Sequence, residues 1–240
     1  MNITNKITIT NEDNIELMAR YPDNYFDLAI VDPPYGIGEH GGKIRHGDKS
    51  LKKGFKVSNK YTKKDWDKNP PTSEYFEELF RVSKNQIIWG GNYFLENLKN
   101  TPCFIVWDKK GNDKSDFADC EIAWTSFSTS IRKFKYDWIG FGNLNLEEKR
   151  NRFHPTHKPE ALYKWLLNRY ANPNDKILDT HLGSGSIAIA CFDYGYELTA
   201  CELDKEYYEL AVKRIKHHIA FNQSLFHPGE LLTHQLFTDI

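Results

Sequence analysis

The spacing of apolar residues divides the chain into short strands that alternate with helices. Residues 6–10 alternate between polar and apolar side chains, and residues 26–31 form an apolar run of strand length. Strands are also predicted at 86–89, 103–108, 121–125, 175–179 and 197–201. Helical spacing predicts helices near 14–21, 73–80, 160–170, 187–194 and 205–218. This alternation is typical of an α/β fold with a mainly parallel sheet.

The carboxyl-terminal third contains a segment with the local pattern of a nucleotide-binding turn. The strand at 175–179 precedes Gly183-Ser184-Gly185, and a helix follows. Glycines at this point permit a tight turn, and the amino end of the helix presents unpaired N–H groups to a ligand. Glu202 ends the next strand about 20 residues further on, where a carboxylate can accept hydrogen bonds from ribose hydroxyls. The segment therefore predicts a site for a nucleoside-containing cofactor.

The order of elements along the chain decides between two kinds of enzyme that contain such a turn. Residues 183–188 also fit the dinucleotide fingerprint GxGxxA, which makes a nicotinamide-dependent dehydrogenase a rival interpretation. Only 38 residues follow Glu202, too few to complete a doubly wound sheet. The missing strands must come from the amino-terminal part, so we expect a sheet in permuted order.

A second chemical motif, Asp32-Pro33-Pro34-Tyr35, directly follows the apolar run at 26–31. Ligands of open α/β sheets bind at the carboxyl ends of strands, and two prolines hold the backbone extended with their carbonyls free to accept. Asp32 and a proline carbonyl can accept the two hydrogens of an amino group, while Tyr35 offers a ring face for stacking. An ordinary strand-ending turn is the other interpretation of these four residues. The functional interpretation predicts a cup for a planar, amino-bearing group.

These motifs, together with His154-Pro155-Thr156-His157-Lys158-Pro159, resemble the beta group of DNA amino-methyltransferases over about residues 6 to 216. The resemblance implies a Rossmann-like class I methyltransferase sheet with the catalytic half first and the donor-binding half last. It also implies S-adenosylmethionine as methyl donor and a target base flipped out of the duplex. We expect one catalytic domain over residues 1–240.

The resemblance also assigns roles to individual residues. Asp32, Pro33, Pro34 and Tyr35 are the expected catalytic residues. The expected donor-binding residues are Asp13, Lys158, Asp179, His181, Gly183, Gly185 and Glu202. Asp13 is also a candidate helix cap. The family usually has Pro and Phe where this chain has Thr180 and His181, which changes the surface against which the donor packs.

Positive charge is concentrated beside the catalytic motif, although the whole chain has a net charge of -1. Residues 36–70 contain nine lysines and Arg45 against four carboxylates, and we expect an inserted basic loop at about 36–71. A solvated insertion without function is the alternative to a loop that contacts phosphates. A short target-recognition segment is expected at about 128–153. The expected DNA contacts are Lys43, Arg45, Lys52, Lys53, Arg132, Lys133 and Lys135.

The sequence therefore predicts a DNA (adenine-N6) methyltransferase that acts on double-stranded DNA. Cytosine-N4 methylation, an RNA or protein-amide substrate, and a catalytically silent DNA-binding module are the alternatives. Asp32 is expected to orient the amine rather than deprotonate it first, because a normal carboxylate is too weak a base. We expect a cytoplasmic protein, since no apolar run reaches membrane-spanning length and no secretory signal is evident.

Four cysteines without a C-x-x-C pair predict free buried thiols, and no metal site is expected. A homodimer is expected only because the resembled family often forms dimers. The sequence does not indicate the recognition sequence, whether a partner restriction endonuclease exists, or the role of residues 222–240.

Overall fold

The computed structural model describes residues 1–38, 64, 66–109, 118–138 and 152–226. Its strands are β1 Ile7–Thr10, β2 Phe26–Val31, β3 Ser83–Trp89, β4 Phe104–Asp108, β5 Cys120–Thr125, β6 Arg132–Lys135, β7 Lys176–Asp179 and β8 Glu197–Cys201. Its helices are α1 Asn14–Met18, α2 Ser73–Val82, α3 Glu160–Tyr170, α4 Ser186–Tyr194 and α5 Lys205–Phe226. Two short 3-10 turns, Gly91–Tyr93 and Leu95–Asn97, follow β3.

The strands form one sheet of eight in the order β1-β8-β7-β2-β3-β5-β4-β6. The five strands from β1 to β3 in this order are parallel to one another. Strand β5 runs antiparallel to both β3 and β4, and β6 is parallel to β4. The two last strands of the chain thus lie between its first two, which confirms the predicted permuted order.

The arrangement of β2 and β7 in this sheet creates a crevice. The chain leaves β2 towards β3 and leaves β7 towards β8, on opposite sides. Ligands of open α/β sheets bind where neighbouring connections diverge in this way. The Asp-Pro-Pro-Tyr tetrapeptide follows β2 and the glycine turn follows β7, so both predicted motifs meet at one edge of the sheet.

The core lies on both faces of the sheet, which explains why β2 is a continuous apolar run. Leu28 and Ile30 belong to the cluster packed by α3, α4 and α5. Ala29 and Val31 point to the other face and join the cluster packed by α1 and α2. All four side chains are almost completely buried. The helices on the two faces hold the carboxyl end of β2 in place.

Several elements differ from the sequence predictions. The final helix continues to Phe226 rather than ending near residue 218, because Ile219 is still packed against the core. Part of the segment at 128–153 forms the edge strand β6. Cys120 is exposed, whereas the other three cysteines are buried as predicted, and all four are free.

The central part of the predicted basic loop, with Lys43, Arg45, Lys52 and Lys53, lies outside the described residues. The described ends of this segment are joined: the Gly36 N–H donates to the Asp67 Oδ1 at 2.9 Å. Among the described helices, none is both long enough and apolar enough to cross a membrane.

Candidate active site

A cavity of about 620 Å³ lies at the carboxyl edge of the sheet, beside β2, β7 and β8. The predicted site residues that line it are Asp13, Asp32, Pro34, Lys158, His181, Gly183 and Glu202. Predicted catalytic and donor-binding residues from both halves of the chain therefore share one cavity. Pro33, Tyr35, Asp179 and Gly185 are not among its lining residues.

The donor side of the cavity is organised by Glu202. Its Oε2 accepts from the Gly183 N–H at 2.9 Å, and its Oε1 accepts from the Asp204 N–H at 3.0 Å. Burial raises the pKa of Glu202, although these backbone donors oppose the shift. Gly185, at φ +77°, is the N-cap residue before α4, and a Cβ there would lie 2.9 Å from the Ile215 Cδ1. The glycine turn is thus held between Glu202 and α5.

Asp13 combines the two roles that the sequence left open. Its carboxylate caps α1 by accepting from the Ile15 N–H at 2.8 Å, and the residue also lines the cavity. A carboxylate has lone pairs beyond the one used in capping. Capping therefore leaves Asp13 able to accept from a ligand.

His181 occupies the position where the family usually has Phe, and it behaves as a neutral ring. Burial lowers its pKa to about 3. Its ring lies edge-on to Tyr75, with centroids 5.3 Å apart, and its Nε2 lies 3.1 Å from the Asn14 Nδ2. Asp179 lies below the turn, where its Oδ1 accepts from the His181 N–H at 3.0 Å and burial raises its pKa to about 8. Asp179 therefore stabilises the turn through this backbone contact and does not line the cavity.

Asp32 lies at the other side of the cavity with 13% of its side chain exposed. The Tyr35 hydroxyl donates to its Oδ1 at 2.8 Å, and the Lys158 ammonium forms an ion pair with its Oδ2. Burial raises the pKa of Asp32, while Lys158 opposes the shift. Both carboxylate oxygens are therefore oriented by fixed donors before any substrate binds.

The Tyr35 ring is held beside the cavity rather than in its wall. It stacks on the Tyr93 ring, with centroids 4.9 Å apart and planes 15° apart. It also lies against Gly90, where a Cβ would be 2.2 Å from the Tyr35 Cε1. One face of the predicted stacking platform is thus covered by Tyr93, which sequence reasoning did not anticipate.

Lys158 contacts the Asp32 carboxylate directly, a contact that its motif did not indicate. Only 3% of its side chain is exposed, and its ammonium lies between Asp32 and the Glu121 Oε2, which is 3.2 Å away. Glu121 in turn forms an ion pair with Lys109. Burial alone would raise the pKa of Glu121, but the two ammonium groups outweigh it and lower the pKa to about 2. Glu121 is thus a charged site residue that the sequence analysis missed.

The predicted DNA-contacting residues Arg132, Lys133 and Lys135 lie on the edge strand β6. Lys133 and Lys135 are exposed, and Lys133 forms an ion pair with Asp108 at 3.4 Å. Lys135 pairs in register with Asp108, the last residue of the parallel strand β4. Strand β6 therefore ends at the same edge of the sheet as the cavity.

Comparison with known proteins decides the family. A model of the N6/N4 DNA methylase family matches residues 84–213, more than half of the chain. The chain belongs to the N6/N4 DNA methylase family. Members of this family use S-adenosylmethionine, so the predicted methyl donor is confirmed. The predicted fold class is confirmed as well.

Individual relatives agree with the family assignment. The type II methyltransferase M2.DpnII of Streptococcus pneumoniae is 23% identical, over 88% of this chain and 90% of the relative. The M1.HpyAVI–SAM complex has a similar fold, with a TM-score of 0.51, 22% identity and coverage of 86% of this chain and 98% of that chain. The cytosine-N4-specific PvuII DNA methyltransferase has a TM-score of 0.55 at 12% identity, with 88% and 91% coverage. The N6/N4 methylase fold thus extends over most of the described chain.

Proposed function

We propose that this N6/N4 DNA methylase transfers a methyl group to the N6 atom of an adenine flipped out of double-stranded DNA. The observation that carries the proposal is the shared cavity, in which the Asp32 carboxylate and the donor-side residues Gly183 and Glu202 face one space. A transfer reaction needs its two reactants in one site and in contact.

The donor side of the cavity fits S-adenosylmethionine in charge and in hydrogen bonding. Five carboxylates line the cavity: Glu12, Asp13, Asp32, Glu202 and Asp204. Glu12, Asp32 and Asp204 form ion pairs with basic side chains, and the other two favour a ligand with net positive charge. Glu202 would accept from the ribose hydroxyls, and Asp13 from the base of the donor. S-adenosylmethionine, when bound, supplies a methyl group activated by a positively charged sulfur. The chain's own residues must then present the target amine to that methyl group.

Asp32 would accept a hydrogen bond from the adenine amino group, together with a proline carbonyl of the same tetrapeptide. Because Tyr35 and Lys158 already orient the carboxylate, Asp32 aligns the amine without first having to move. Its negative charge stabilises the positive charge that develops on N6 as the new bond forms. A carboxylate is too weak a base to remove the amine proton beforehand, so the proton leaves only after transfer, when the methylated nitrogen is cationic and the Asp32 carboxylate can accept it.

Adenine rather than cytosine is proposed because the tetrapeptide begins with Asp32, whereas cytosine-N4 enzymes more often have Ser at this position. The test is transfer of labelled methyl from S-adenosylmethionine to unmethylated DNA, followed by nucleoside analysis. Label in N6-methyladenine is the expected result. Label in N4-methylcytosine would refute the choice of base, and no label in DNA would direct attention to RNA, protein amides or a silent DNA-binding module.

A further inference from the structure

Four charged side chains form a continuous chain of ion pairs next to the cavity, with Lys158 buried and the other three partly buried. The Lys158 ammonium contacts both Asp32 and Glu121, and Glu121 contacts Lys109. We define Glu121 and Lys109 as the outer pair. Exposed fractions of the side chains are 22% for Glu121 and 16% for Lys109. Two carboxylates and two ammonium groups thus balance in charge beside the cavity.

The sheet topology explains why the outer pair lies beside Lys158. Strand β5 runs antiparallel to β3 and β4, so it begins at the edge of the sheet where β2, β3 and β4 end. Glu121 is its second residue and pairs in register with Trp107. Lys109 follows β4, with its ammonium 5.2 Å from the Trp107 ring centroid. The strand reversal places Glu121 and Lys109 together at this edge.

Stability gives little reason to bury such an arrangement. Desolvation opposes the burial of ions, and well-packed apolar residues are often as stabilising as a buried ion pair. Buried charged clusters next to a reaction centre are functional candidates for this reason. The position of the Lys158 ammonium, shared between two carboxylates, suggests what this cluster does. Each carboxylate draws the ammonium away from the other.

We propose that Glu121 is a positioning residue that, with Lys109 as its counter-ion, limits the hold of Lys158 on Asp32 during methyl transfer. This inference rests on the proposed function, because it assumes that Asp32 accepts the amine of the target base. Without the Glu121 charge, Lys158 pairs with Asp32 alone and withdraws electron density from the oxygens that face the amine. Without the Lys109 charge, Glu121 attracts Lys158 more strongly, and Asp32 loses part of its counter-ion.

The two substitutions therefore act in opposite directions on the ionisation of Asp32. Glu121→Gln removes a negative charge near Asp32, which favours the ionised carboxylate. Lys109→Met removes a positive charge while keeping a long stem beside Trp107, and this disfavours the ionised carboxylate. Other groups that act electrostatically on Asp32 or respond to its charge remain unchanged in both variants: Tyr35, Tyr75, Tyr163 and Asp179.

The experiment measures the single-turnover rate of methyl transfer to DNA across a range of pH for the wild type and both variants. Glu121→Gln is expected to lower the rate about tenfold, less than the loss of a directly acting acid–base group. It should move the acid limb of the profile to lower pH, and Lys109→Met should move it to higher pH. Asp193→Asn is the matched control: its side chain is 20% exposed and contacts Lys164, outside the cavity lining.

Each outcome decides the matter. Opposite shifts of the acid limb, with the profile of Asp193→Asn unchanged, support the positioning role. Wild-type rates, or reduced rates with an unshifted acid limb in both variants, overturn it and leave only a structural role for the outer pair. Thermal unfolding and donor binding identify a misfolded variant. If one variant fails to fold, the direction in which the acid limb shifts in the other variant tests the proposal. An inactive wild type refutes the proposed function itself, whereas active wild type with insensitive variants refutes only this inference.

Discussion

Replacing Gly90 by alanine tests whether the position of the Tyr35 ring controls methyl transfer. Gly90 has φ +70°, in the left-handed region, and a Cβ there would lie 2.2 Å from the Tyr35 Cε1. Real contacts of this kind are far longer, so the ring must move. Movement breaks the 2.8 Å hydrogen bond from the Tyr35 hydroxyl to Asp32 and the stacking on Tyr93.

The expected magnitude has two parts that a control variant separates. A non-glycine residue at positive φ costs about 1 to 2 kcal/mol of stability, or a decrease in Tm of about 2 to 4 °C per kcal/mol for a chain of this size. Gly195→Ala has the same backbone cost, because φ is +75°, but its Cβ would meet nothing nearer than the Lys6 Nζ at 4.0 Å. Both variants should therefore melt at lower temperature.

Activity should distinguish the two alanine variants. A hydrogen bond to a charged group contributes about 1.5 to 3 kcal/mol, which corresponds to about a 10- to 150-fold loss in kcat/KM. We expect this loss for Gly90→Ala and wild-type kcat/KM for Gly195→Ala, measured by methyl transfer well below the Tm of either. Equal activity of the two variants would refute the idea that Tyr35 orients Asp32.

Three further predictions address the Asp32 carboxylate, the pH dependence of stability and DNA contact. Asp32→Ala should abolish methyl transfer while donor binding, measured by equilibrium dialysis, stays within a few-fold of wild type; retained methylation would exclude a role for this carboxylate. Because burial raises the pKa of Asp179 to about 8, the folded protein keeps a proton that the unfolded chain releases above about pH 4. The stabilisation that comes from protonated Asp179 is complete below about pH 4 and is lost as pH rises to about 8. In Asp179→Asn, Tm should therefore depend less on pH between these values. A pH dependence identical to that of the wild type would contradict the raised pKa. Lys135→Ala should reduce the slope of log Kd for DNA against log salt by about one. Lys84→Ala is the control and should leave the slope unchanged, because Lys84 lies near the amino end of its strand, away from the cavity. Equal slopes for the two variants would exclude Lys135 from the DNA interface.

The sequence by itself determined the parts of the site that depend on neighbours along the chain. The apolar run that becomes β2 places Asp32 at a strand end, and the glycine turn before α4 follows from local strand, turn and helix patterns. Glu202 is predictable for the same reason, since the offset from Gly183 within one strand-turn-helix-strand unit is nearly constant. The permuted order follows from counting the residues that remain after Glu202.

Only the tertiary structure decided which distant residues meet. Lys158 was assigned to the donor from its motif, yet it contacts Asp32 and Glu121, because α3 and β5 converge on β2 from separate parts of the chain. Glu121 has no motif, and its role depends on β5 running antiparallel to its neighbours, a direction that local pattern does not encode. Tyr93 covers Tyr35 for a similar reason, through a turn that follows β3. The motifs can be predicted from a few neighbouring residues. Contacts between charged residues that are far apart in the chain can be predicted only when the order and direction of the strands are known.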